Sequence, residues 1–277
     1  MGRYLEEAYR NLRPYLLAAP SLFFVIIFLI APIFYMMAYT PDFVSTFVQT
    51  VYNQEFVSVY LRTIRVGATV AMLATVLAYP LAYYVGRSSP VLKSFFKTMV
   101  FLPLMVNPLV RSYGWIIILG REGLLNSMLA GLQVVAEPVR ILYTEWAMEL
   151  GLLELFFPFM FIPLLSAMEN MSEEVLMAAR SLGAGPLRIF MNIILPLTLK
   201  GYVVGLSVIL AGCAAAFVTP SLLGGFRNRT LSMLLYEYID VRLNWGAAAA
   251  TAIIIMLTVF SVNLLLTYGV KIGVKAK

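Results

Sequence analysis

Residues 172–196 read SEEVLMAARSLGAGPLRIFMNIILP, a short polar-to-apolar stretch set between two long apolar runs. Its local grammar is helix, turn, helix. Ser172 stands where a side chain caps a helix, and Glu173 and Glu174 follow in the first turn, where the helix dipole favours negative charge. Gly183 is placed to end that helix in the left-handed conformation, and Pro186 opens the next one. Val175, Ala178, Ala179 and Leu182 fall at i, i+3, i+4 and i+7, which predicts one apolar stripe with a small centre, open to close approach by another surface.

Outward from this loop the chain is unlike a soluble protein. Of its 277 residues 61% are hydrophobic and 12% charged, against about 25% charged in a soluble domain. Six continuous apolar segments, near 15–39, 63–86, 96–119, 146–168, 200–222 and 247–270, are each long enough to cross a bilayer core, which takes about 20 helical residues. Alternation in blocks of ten, the mark of a membrane β-barrel, is missing. The expectation is an all-α polytopic membrane protein. A short segment 1–14 precedes a transmembrane domain over 15–270, and a tail follows over 271–277. The first apolar segment is too long for a signal peptide, and Glu6 and Glu7 spoil a purely basic leader, so it reads as a retained helix.

Lys and Arg set the orientation. With the N-terminus inside, twelve of the 20 fall on the inner side, seven outside, and Arg111 lies within a span. Both termini and the 170–196 loop are therefore expected in the cytoplasm. The net charge of +6 is largely this topology signal and calls for no nucleic acid. Most acidic residues lean outward, which reads either as ordinary loop composition or as a vestibule mildly attractive to cations. The absence of histidine and the single cysteine, Cys213, exclude Cys/His zinc sites and His-based catalysis, so neither a metal site nor a catalytic residue is expected.

With that topology, the 172–196 loop resembles the signature loop of bacterial ABC importer permeases. That pattern runs Glu-Ala-Ala, three residues, Gly, nine residues, Ile, one residue, Leu-Pro; Ala178, Ala179, Gly183, Ile193, Leu195 and Pro196 fall at its spacings, and Met177 replaces the usual Glu. Three further stretches are similar to the spermidine/putrescine branch of the family: Asn107–Trp115 with Gly123–Asn126, Leu155–Leu164, and Phe217–Gly225. The resemblance implies a type I (MetI-like) permease fold and a coupling helix that docks on a separate ATPase subunit. Glu173, Glu174, Met177, Ala178, Ala179, Arg180, Leu182, Gly183, Ala184, Arg188 and Pro196 belong to that loop. It also implies a second homologous permease in a heterodimer, two ATPase subunits that hold ATP and Mg, an extracytoplasmic solute-binding protein, and a lipid bilayer around the chain. Consistently, the chain has no Gly-x-x-x-x-Gly-Lys-Ser/Thr phosphate loop. The implied function is import of a polyamine or related amine. Relatives in this branch also carry phosphonates, opine-like compounds and ferric ions, and a secondary transporter or channel protomer is the reading from a different class.

Charged residues inside spans need a partner or a wet cavity. Arg111 and Glu154 are expected at similar depth, with Glu149 about one turn nearer the surface. They read either as a structural Arg111–Glu154 pair or, with Tyr113, as a polar patch on the translocation path. Pro80, Pro103, Pro108, Pro158, Pro163 and Pro220 interrupt spans two to five, and small residues stripe spans two and five.

Overall fold

The computed structural model describes residues 2–135 and 137–275, with side chains described for 18–269 except Leu29 and Ala136. In chain order the helices are α1 (Gly2–Ala38), α2 (Phe43–Tyr52), α3 (Gln54–Gly86), α4 (Pro90–Met105), α5 (Pro108–Leu119), α6 (Leu124–Gly131), α7 (Glu145–Glu169), α8 (Glu173–Ser181), α9 (Pro186–Ile189), α10 (Leu195–Ala215), α11 (Leu231–Asp240) and α12 (Trp245–Lys275). Five helical stretches are long and apolar enough to cross a membrane: 18–38 within α1, α3, α7, the run Pro186–Ala215, and 245–269 within α12. Among the described residues a further candidate is α4 followed by α5 and α6, long and apolar enough only as a pair and bent by 98° at the break, which makes it either a broken span or a re-entrant loop.

The chain forms two compact units. In the first, Met1–Asn53 with Leu235–Ile254, the start of α12 meets the α1–α2 turn so closely that a Cβ on Gly246 would lie 2.5 Å from Thr40 Cγ2. In the second, Gln54–Leu234 with Ile255–Lys277, the core is a three-helix pack of α3, α7 and α10. Small residues explain why α3 can sit so deep: Gly67, Ala71, Ala74, Ala78 and Ala82, spaced three and four apart, form its buried stripe.

Glycine does the same for α10. A Cβ on Gly201 would lie 2.5 Å from the Pro163 carbonyl oxygen of α7, and one on Gly205 would lie 2.9 Å from both Met160 Cα and the Phe159 carbonyl oxygen. Phe159 O is the carbonyl that Pro163, four residues on, deprives of its helical donor. Close backbone approach buries that freed carbonyl within protein, which is what the membrane interior requires.

The prolines do not act alike. Pro80 and the pair Pro158 and Pro163 are absorbed within the continuous helices α3 and α7. The third span, expected as one helix over 96–119, breaks at Val106–Asn107 instead. Asn107 precedes a proline, which disfavours helical backbone there, and its Oδ1 accepts from Leu109 N at 2.8 Å, so it caps α5 with Pro108 at the first position. The fifth span, expected over 200–222, starts earlier and ends earlier: α9 runs through a π-turn at Phe190–Ile194 into α10, which stops at Ala215.

Candidate functional site

The 172–196 loop forms one end of the second unit. Ser172 Oγ accepts from Glu174 N at 3.2 Å at the start of α8. Gly183 stops the helix at φ +77°, with Ala184 N donating to Ala179 O at 3.0 Å and Gly183 N to Arg180 O at 2.9 Å. These two bonds are the Schellman pattern that satisfies terminal carbonyls. Pro186 then opens α9. In the π-turn that follows, Leu195 N reaches back five residues to Phe190 O, and Phe190 packs edge-on against Tyr79 with ring centroids 5.3 Å apart.

The apolar stripe expected on α8 is not a single exposed face. Leu176 and Ala179 are buried against the unit's own core, while Val175, Ala178 and Leu182 are exposed. The reason is rotational: three residues separate 176 from 179, so these two share a face, about 100° from the one that carries 175 and 182. The surface left outward consists of Glu173, Glu174, Val175, Met177, Ala178 and Leu182, continued by Leu187 and Arg188 on α9. Ala184 and Pro196 are half-buried. Arg180 is exposed and donates through Nη2 to the Tyr83 hydroxyl at 3.2 Å.

The charges carried into spans fall into two separate groups. Arg111, only 8% exposed, lies in the first turn of α5; its Nε is 3.5 Å from Glu154 Oε2, and its Nη1 donates to Pro103 O at 3.3 Å. Trp115, one turn further along α5, donates its indole N–H to the same Glu154 carboxylate. Glu149 lies elsewhere. Five residues before Glu154 on α7, it points about 140° away. It is 5% exposed and lies near Thr69 and Arg65 of α3 and Glu145 of its own helix. Glu145 is the hub of that end, bonded by Arg62 Nε at 3.0 Å and by Arg65 Nη2. Tyr113 is exposed on a third side. The four residues read together from the sequence thus do not make one patch.

Sequence reasoning missed Trp115, Thr69 and the role of Asn126. The side-chain amide of Asn126, 3% exposed, donates to Gly120 O at 2.9 Å and Val139 O at 3.0 Å, and its Oδ1 accepts from Val139 N at 2.8 Å. It therefore pins the connection between α5 and α7 from both sides. Trp115 was recoverable as the residue one turn after Arg111. Asn126 carried no such signal, because its partners are backbone groups, six and 13 residues away, that leave no mark in the sequence.

This arrangement is that of a multi-pass membrane permease with a helical loop presented at one end and no enclosed catalytic constellation among the described residues. The chain belongs to the family described as binding-protein-dependent transport system inner membrane component, whose model matches residues 74–270. It is the inner-membrane permease subunit of an ABC importer. The spermidine/putrescine transport system permease protein PotB of Haemophilus influenzae is 34% identical over 197 residues, 71% of this chain and 68% of that protein. PotB of Escherichia coli is 34% identical over 202 residues, 73% and 72% of the two chains. Among solved structures, a bacterial ABC transporter for the acidic polysaccharide alginate superposes with a TM-score of 0.74 at 20% identity, covering 97% of this chain and 98% of that one. A second structure, the alginate transporter in complex with a periplasmic protein carrying alginate pentasaccharide, superposes with a TM-score of 0.76 at 18% identity, with 96% of each chain covered. At such identities the likeness is one of fold.

Proposed function

We propose that this permease passes a polyamine or related cationic amine across the bacterial inner membrane. The substrate is the one named for the PotB relatives at 34% identity. In this reading the chain pairs with a second homologous permease, and a solute-binding protein delivers the amine from outside. Two ATPase subunits hold ATP and Mg and drive alternating access, so this chain performs no chemistry. Both termini and α8 lie in the cytoplasm, as the Lys and Arg distribution requires.

The observation that carries the coupling role is the outward set on α8 and α9. Val175 (46%), Met177 (55%), Leu182 (87%) and Leu187 (75%) are exposed apolar side chains on a loop at the bundle end, backed by Leu176, Ala179 and Ile189 in the core. A rigid backing with an apolar front is what a docking surface needs. Met177, where relatives of the pattern carry Glu, makes this contact more apolar. The pathway assignment for Arg111, Tyr113, Glu149 and Glu154 is narrower: Glu154, the more open of the two carboxylates and already in contact with Arg111 and Trp115, is the better candidate to meet an ammonium, whereas Glu149 is buried at 5% exposure.

The test uses cells carrying the complete transporter. Uptake of labelled spermidine and putrescine is measured with the wild-type chain and with Leu182→Asp, which alters a fully exposed side chain. Saturable polyamine uptake that the variant abolishes, with normal membrane insertion and loss of ATPase co-purification, supports both parts. Wild-type uptake and ATPase retention in the variant would remove the docking role from α8. No uptake of either amine by the wild type would remove the substrate.

A further inference from the structure

The inner third of α3, the end of α7 and the α8–α10 segment line a half-open cavity of about 710 Å³. Thr75, Val76, Tyr79 and Tyr83 line one wall, and Ile189, Phe190 and Ile194 the opposite one. The volume is that of a binding site for a sizeable organic molecule. Its walls are apolar and aromatic, and Pro80 leaves the Val76 carbonyl without its helical donor at this wall. The mouth is different. Arg180 bonds the Tyr83 hydroxyl at 3.2 Å, and the Arg87 guanidinium lies 3.9 Å over the Tyr83 ring. Arg87 otherwise donates to Tyr83 O at 3.1 Å and to the Met171 sulfur at 3.8 Å. Neither arginine has a carboxylate partner among the described residues; Glu169, at this end of the bundle, is paired with Lys97 at 3.0 Å.

Two guanidiniums without carboxylate partners on one phenol, Arg180 lining the half-open apolar cavity and Arg87 beside it over the Tyr83 ring, have the charge and shape complement of one kind of molecule. We propose that this cavity holds an anionic phospholipid of the cytoplasmic leaflet, its phosphate between Arg87 and Arg180 and its acyl chain against Val76, Phe190 and Ile194. Basic pockets between membrane helices near the cytoplasmic face take such headgroups. An inorganic anion would satisfy the arginines but leave the apolar chamber unfilled, and an ammonium would meet two like charges at the mouth. Because Arg180 belongs to α8 and Arg87 directly follows α3, the lipid phosphate ties the loop to the core. The choice of leaflet rests on the proposed topology; the site itself does not.

The experiment uses the assembled transporter in nanodiscs of phosphatidylcholine mixed with phosphatidylglycerol, without ATP or substrate. Tightly retained lipids are counted by native mass spectrometry, so the readout is independent of coupling and of polyamine recognition. Retained phosphatidylglycerol should fall about fivefold in Arg87→Gln and again in Arg87→Gln/Arg180→Gln, with phosphatidylcholine unchanged. Val76→Trp, which fills the chamber, should displace the lipid while both arginines remain. Unchanged phosphatidylglycerol retention in the double variant overturns the proposal, as does displacement of the lipid by excess inorganic phosphate alone. If Val76→Trp separates the two permease subunits and leaves the lipid count intact, the chamber belongs to a subunit contact and the proposal fails.

Discussion

Arg111 of α5 and Glu154 of α7 meet beside the break in the third span, Nε to Oε2 at 3.5 Å, while Nη1 of the same arginine reaches across the break to the Pro103 carbonyl of α4. The arginine therefore does two things at once. It neutralises a carboxylate inside the membrane domain and adds a second, charged donor to the Pro103 carbonyl at the α4 terminus, which Val106 N also reaches at 3.3 Å. The 98° bend is held from α7, through a side chain on the far side of the break.

Removing one partner of this pair should cost more than removing both. Glu154→Leu leaves a nearly buried guanidinium without its counter-charge, a loss of about 3–5 kcal/mol, and strips the Trp115 indole of its acceptor. The double variant Arg111→Leu/Glu154→Leu should recover most of that loss, because two apolar side chains can replace a buried pair at little net cost. Thermal unfolding of the purified complex in detergent measures both, and tryptophan emission reports the change at Trp115.

Gly201 should tolerate no side chain. A Cβ there would stand 2.5 Å from the Pro163 carbonyl, a backbone atom that no rotamer change can move aside. Gly201→Ala should destabilise by about 1–3 kcal/mol through overpacking. Gly114→Ala, inside α5 where a Cβ meets nothing within 4 Å, should instead stabilise by about 0.5–1 kcal/mol. The same unfolding measurement compares the two.

Asn126→Leu should loosen the segment between α5 and α7 without disturbing the core. It removes three hydrogen bonds to backbone groups of Gly120 and Val139 and leaves those groups poorly satisfied, at about 1–3 kcal/mol. Limited trypsin digestion of right-side-out vesicles should then cleave at Arg121 or Arg140 well before it does in the wild type.

Gly183 tests backbone conformation apart from contact. Its φ of +77° is open to asparagine but strained for β-branched residues, and a Cβ there meets nothing within 4 Å. Gly183→Asn should keep ATPase co-purification close to wild type. Gly183→Val should weaken it, since holding the left-handed turn then costs about 1–2 kcal/mol.

Much of this was legible in the sequence because membrane physics leaves long, uniform marks. The apolar runs located the helices, and the cap, glycine and proline of 172–196 foretold α8 and α9 in order. The Arg111–Glu154 contact followed from matched depth on consecutive spans. What escaped was rotation and register. The stripe 175/178/179/182 was periodic, yet which part of it turned inward depended on where α8 sits against α3 and α7. The prolines were visible, but Pro158 and Pro163 lie in a helix packed on many sides, whose packing overrides them, whereas Pro108 follows a capping asparagine on a helix with few buried residues. Asn126 was silent because a backbone acceptor has no signature.

The glycine seam between α7 and α10 has a mechanical meaning. With main chain close against main chain at Gly201 and Gly205, little side-chain padding separates the two helices there, and both flank the α8 loop. Over the 25 residues of α7, about 37 Å, a tilt of about 5° at the loop end carries the opposite end through ~3 Å. Under the coupling role proposed above, a thrust at α8 would turn these two helices together as one stiff lever.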